Sequence, residues 1–209
     1  MQTSIDHLIV AGPTLEAAID HVREVIGVEP SPGGVHPGVG TRNALVGLGL
    51  GVYLEVIGPD PQQAEPALPR WFGIDGLSSP ALVTWSARTG DIDAGRSSML
   101  RAGVDPGEIS SGGRVRPDGT RLAWRVTDPR ADRMAGVLPF LMDWGDSQHP
   151  SETLPGGLEL LQLRLFHPRI EAVRAVADAL SLPVELARRE RPGIEADVRT
   201  PGGRTVTLR

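Results

Sequence analysis

From Val52 to Ile57 the side chains divide between two faces of an extended chain: Val52, Leu54 and Val56 share one, Tyr53, Glu55 and Ile57 the other. Thr41 to Leu48 is a second strand-like run, and Gly49 and Gly51 supply turn chemistry between the two, so the spacing predicts a hairpin. Ahead of it, Gly33 to Gly40 reads as a glycine-rich loop carrying His36. Nearer the start, Ile5 to Ala11 is a strand-length apolar run broken by Gly12-Pro13, after which Thr14 offers an N-cap. Leu15, Ala18, Ile19, Val22 and Ile26 then fall at helical spacing, and Gly27 sits where a left-handed C-cap residue belongs. Gly58 to about Pro69 is a proline-rich linker.

The pattern then begins again. Ala81 to Ala87 is a strand, Asp91 an N-cap, and Ile92, Gly95, Met99 and Ala102 trace a helical face ending at Gly103. Gly27-Val28-Glu29-Pro30 after the first helix is answered by Gly103-Val104-Asp105-Pro106 after the second, and Thr120 to Thr127 and Leu138 to Trp144 complete the unit. A third unit opens at Leu158, with a strand to Phe166, a helix over Arg169 to Leu180, and about three strands between Val184 and Leu208 around a Pro201-Gly202-Gly203 turn. The repeat predicts an α+β fold: paired β-α-β-β-β modules, 4–60 and 80–146, form a cupped mixed sheet with helices outside, within a region 1–155. A third related C-terminal unit, 156–209, packs on the first two. Two such modules enclose a cleft. Because three units cannot all pair two by two, the third is expected on an edge of the first pair, and a homodimer is expected.

Composition narrows the chemistry. The chain of 209 residues is long enough to bury a core without staples. No apolar run reaches membrane-spanning length and no signal-peptide pattern opens the chain, which predicts a cytoplasmic protein with no membrane partner. The absence of cysteine excludes disulfides, a thiolate nucleophile and cysteine-ligated zinc or iron–sulfur sites. A net charge of -5 with both signs interspersed leaves no nucleic-acid footprint. The glycines around His36 are not a phosphate loop, since no lysine and no immediately following helix completes one.

Ile5-Asp6-His7-Leu8, the run Gly33 to Thr41, Asn43-Ala44-Leu45 and Tyr53-Leu54-Glu55 resemble the glyoxalase-like domain of the vicinal oxygen chelate superfamily. Pro69-Arg70-Trp71-Phe72 and Pro139 to Trp144 look like further signatures of it. The resemblance implies a cleft that often holds a divalent metal between His residues of first strands and Glu residues of last strands. Superposing the units by their helices puts Thr84 where His7 stands, and matching Phe140, Met142 and Trp144 to Val52, Leu54 and Val56 puts Asp143 in the slot of Glu55.

The metal set so implied is His7, Glu55 and Asp143, which suits magnesium, manganese or zinc with water. His36 stands as a second nitrogen ligand or as a general acid or base, and Glu55 as a second catalytic group. Thr41, Asn43, Tyr53, Trp71, Thr84 and Trp144 are the expected substrate contacts. Plainer readings stand beside these: His7 hydrogen-bonded in the core, Glu55 paired with Arg88, Arg121 or Arg125, Asp143 capping the turn before Gly145-Asp146, and His21, His149 and His167 structural. The function implied is a metal-dependent lyase or isomerase acting on a small molecule with vicinal oxygens. The alternative is a metal-free small-molecule binding protein on the same fold.

Overall fold

The computed structural model describes residues 3–49, 51–115 and 119–209. The first module runs β1 (Thr3–Ala11), α1 (Leu15–Ile26), β2 (Ser31–His36), β3 (Thr41–Gly47) and β4 (Tyr53–Pro59). The second repeats it as β5 (Ala81–Thr89), α2 (Ile92–Arg101), β6 (Ile109–Val115), β7 (Arg121–Thr127) and β8 (Phe140–Asp143). Helix α1 starts where Thr14 accepts the Ala17 amide and ends at left-handed Gly27, and Asp91 caps α2 through the Ala94 amide. The segment read as a glycine-rich loop is in part a strand: residues 31–36 form β2, and only 37–40 turn. As an edge strand β2 tolerates Pro32, Gly33 and Gly34, and its register slips between Pro32 and Val35.

Eight strands form one curled sheet in the order β2-β3-β4-β1-β5-β8-β7-β6, with the edges β2 and β6 brought into contact. The two modules meet where β1 runs antiparallel to β5, with Leu8 opposite Trp85. His7–Ser86 and Ile9–Thr84 lie symmetrically about that pair, so a local two-fold carries β1 onto β5. Each module closes with its last strand parallel to its first, β4 beside β1 and β8 beside β5. Leu8, Val10, Leu54, Val56, Trp85, Ala87 and Leu141 belong to the core under the helices. Ile9, Tyr53, Ile57, Leu122, Phe140, Met142 and Trp144 form a second cluster inside the cup.

The C-terminal unit comprises β9 (Glu159–Phe166), α3 (Ile170–Leu180), β10 (Glu185–Ala187), β11 (Gly193–Arg199) and β12 (Thr205–Leu208). Its element order repeats that of the modules, but its sheet runs β10-β9-β11-β12, so the first strand after the helix, not the last, is the parallel neighbour of the opening strand. It is joined to the cup by main-chain bonds from Leu160 to Leu48 and from Leu82 to Arg209, both 2.9 Å. Leu163, Leu165, Ile194 and Leu208 continue the helix-side core. Among the described residues no helix is long and apolar enough to cross a membrane.

Candidate active site

The site begins with an irregularity in β1. Strict alternation would turn Asp6 and His7 to opposite faces, but the β1–β5 register passes from Ile5–Ala87 to His7–Ser86 and leaves Asp6 as an extra residue. Such a bulge re-aims side chains, and Asp6 and His7 stand side by side. The Asp6 carboxylate is fully buried and takes hydrogen bonds from His7 Nδ1 (2.8 Å), His149 Nε2 (2.8 Å) and the Trp144 indole N–H (3.1 Å). Burial by itself would raise its pKa; the bonds from His149 and His7 and the field of their rings outweigh that and hold it below the ordinary carboxylate range. With Nδ1 given to Asp6, the His7 ring turns its Nε2 to the other side, 3.7 Å from Glu55 Oε2. Tyr53 stacks on the same ring at 4.6 Å and fixes its plane.

Glu55 projects from β4, opposite Ile9. Its other oxygen, Oε1, accepts the Asn43 amide at 2.5 Å and lies 3.7 Å from His36 Nε2. Asn43 cannot be turned over, because its Oδ1 already accepts the Gly34 amide at 2.8 Å. Gly33 permits that closeness, since a Cβ there would lie 2.1 Å from Asn43 Oδ1. Asn43 Nδ2 is also 3.4 Å from His36 Nε2, and Thr41 Oγ1 is 2.9 Å from His36 Nδ1. If Nε2 accepts from Asn43, the ring proton sits on Nδ1 and points at Thr41. The result is one carboxyl group with an imidazole on either side, held from β1, β2, β3 and β4.

Around this group lies a cavity of about 60 Å³ walled by Tyr53, Phe72, Trp124, Phe140, Met142 and Trp144. A groove of about 500 Å³ adjoins it, sharing the walls His36, Trp71, Trp124, Val126 and Pro129. The inner space takes the head of a small molecule, and the groove accommodates the rest. The Trp71 indole N–H is buried and has no acceptor among the described residues.

The sequence-derived positions divide accordingly. His7, His36, Asn43, Tyr53, Glu55, Trp71 and Trp144 line the cavity, and Thr41 sits behind His36. Thr84 occupies the two-fold counterpart of His7, but it is fully buried, is not among the lining residues and donates to the Gly136 carbonyl at 3.0 Å. Asp143 requires correction: it is not in the slot of Glu55. The two-fold carries Ile9 onto Ser86, and because Glu55 pairs with Ile9 while Phe140 pairs with Ser86, the slot belongs to Phe140. Phe140 and Met142 therefore face the cavity, Leu141 packs under the helices, and Asp143 accepts the Gly145 amide at 3.0 Å as a turn cap.

The three-residue metal set His7, Glu55 and Asp143 consequently does not assemble. Among the described residues no group of three or more His, Cys, Asp or Glu is arranged to hold a metal ion. Among the described residues Glu55 has no arginine partner either, and Arg125 goes to Asp93. Sequence reasoning missed Asp6 and treated His149 as structural. Asp6 stood in the quoted motif beside His7, but strand alternation turned it away from the cleft.

The family model described as "Glyoxalase-like domain" matches residues 5–181. No curated protein matches the chain. Among solved structures, a hypothetical protein from Staphylococcus aureus superposes with a TM-score of 0.64 at 12% identity, covering 90% of this chain and 86% of that one. A Streptomyces coelicolor methylmalonyl-CoA epimerase variant, in complex with 2-nitronate-propionyl-CoA, gives 0.47 at 20% identity, over 72% of this chain and all of that one. Methylmalonyl-CoA epimerase from Mycobacterium tuberculosis gives 0.41 at 15%, over 69% and 88%.

Proposed function

This chain belongs to the glyoxalase-like domain family, and from that premise we propose that its cleft is the active site of a small-molecule isomerase or lyase that moves a proton beside an oxygen-bearing carbon. The observation that carries the reading is the Glu55 carboxyl group with an imidazole nitrogen 3.7 Å away on each side, inside a small aromatic-walled cavity. Such a set can take a proton from a carbon next to a carbonyl with one group and return it with another. The C–H electron pair passes onto the carbonyl oxygen as an enolate, and the proton goes to Glu55 or to an adjacent imidazole. The buried Trp71 N–H is a donor for that oxygen, and its worth is greatest where water is excluded. Asp6 keeps the His7 Nε2 turned toward Glu55 through the step. The proton transfer so described uses side-chain and indole groups alone.

The test is solvent exchange. The protein is incubated in D2O with a panel of small 2-oxo and 2-hydroxy carbonyl compounds, and deuterium incorporation beside the carbonyl is followed by NMR. Exchange is expected with at least one compound, falling about 100-fold or more in Glu55→Gln and His7→Ala. The same reaction with chelator, and with magnesium, manganese or zinc added, reads out metal dependence directly. Tryptophan fluorescence quenching by a compound that undergoes no exchange would move the assignment to a binding protein, the reading favoured by the density of aromatic side chains in the wall.

A further inference from the structure

Behind the aromatic wall lies a second groove, of about 710 Å³, bounded by Arg70, Phe72, Arg130, Asp132, Arg133 and the Pro192–Ile194 stretch of the C-terminal unit. It meets the inner cavity through Phe72 and Pro129, which line both, and the outer groove through Pro129 and Arg130. Its arginines differ in their partners. Arg70 is neutralised by Glu65 and Asp75, at 2.9 and 2.6 Å. Arg130 and Arg133 have no carboxylate oxygen within 4.0 Å among the described residues. The two nearby acids are tied into turns, Asp128 accepting the Arg130 amide and Asp132 the Met134 amide.

Arg133 is a half-buried cation packed on the faces of Phe72 and Phe140, 5.4 and 5.9 Å from their ring centres. Its Nη1 donates to the carbonyls of Pro129 and Ala131, while its buried Nε finds no acceptor among the described residues. Burial pushes its pKa down to about 10, against the field of Asp128 and Asp132. A cation withdrawn from water without a carboxylate partner is costly, and an anionic ligand removes the deficit. The backbone is also unusual on both banks: Phe72 and Gly73 have φ of 61° and 70°, and Met134, Ala135 and Gly136 have 51°, 59° and 84°. Left-handed non-glycine residues persist only where their surroundings hold them, and they gather at ligand sites.

We propose that this groove is an oxyanion-binding site in which Arg130 and Arg133 hold the phosphate or carboxylate group of a small molecule, outside the inner cavity that holds His7, Glu55 and His36. The full chain is titrated with inorganic phosphate and, separately, with malonate, at constant ionic strength and neutral pH, and its melting temperature is recorded. A saturable rise is expected, and the anion with the lower half-saturation point names the group. Arg133→Gln and Arg130→Gln are expected to raise that point roughly tenfold or more, while Glu55→Gln leaves it in place. Absence of a saturable rise with both anions overturns the proposal, as do arginine variants that titrate like the parent. Should Arg133→Gln fail to fold, the exposed Arg130→Gln decides the matter by the same criterion.

Discussion

Asp6 is the residue on which the site turns. A fully buried carboxylate with donors from two imidazoles and an indole ties the start of β1 to Trp144 and to His149 beyond it. Asp6→Asn breaks that set while leaving its partners buried, at a cost of about 3 kcal/mol in denaturant unfolding. The pH dependence has a definite sign. The folded pKa of Asp6 lies below its unfolded value, so its contribution is fully present above about pH 4 and is lost as the pH falls through that value toward the folded one. Acid unfolding of the parent is expected to be shallower in Asp6→Asn, measured as stability against pH; an unchanged acid limb would remove Asp6 from the account.

At the scale of elements, register decides more than composition does. The assignment of Asp143 as the counterpart of Glu55 depended on which face of β8 points inward, and pairing with β5 reverses it. Asp143→Ala is therefore expected to cost under about 1 kcal/mol, as the loss of a turn cap, and to leave the exchange reaction unchanged. A large loss of exchange in that variant would reinstate Asp143 in the cleft. The seating of α1 is tighter. A Cβ on Gly58 of β4 would lie 2.2 Å from the Leu15 amide nitrogen at the helix start, so Gly58→Ala must push the helix off the sheet. A loss of about 2–3 kcal/mol is expected, read from the denaturation midpoint.

Across the whole molecule, the C-terminal unit shares the helix-side core and exchanges main-chain bonds with β3–β4 turn and β5 residues. We propose that residues 156–209, although a separate unit by sequence, stabilise the cup as part of one cooperative fold. A chain ending at Pro155 loses the main-chain bonds at Leu48 and Leu82 and the contacts of α1 with β12 and of α2 with α3, and is expected to lose its cooperative thermal transition, by calorimetry or circular dichroism. A sharp transition in the shortened chain would show two independent domains.

The periods of 3.6 and 2 along the chain, the caps at Thr14 and Asp91 and the recurrence of one motif after each helix determined the α+β class and the paired modules, because local propensity and burial pattern are properties of neighbouring residues. His7, Asn43 and Glu55 were legible as a cleft-facing set for the same reason: each alternates with residues of the helix-side core. Tertiary structure alone decided the rest. Whether Asp6 faces its neighbour His7 depends on a bulge imposed by β5, and whether Asp143 or Phe140 answers Glu55 depends on a pairing across about 50 residues of chain. A one-residue shift in either pairing turns a side chain to the other face, and the energy that selects the register lies in contacts between strands rather than within them.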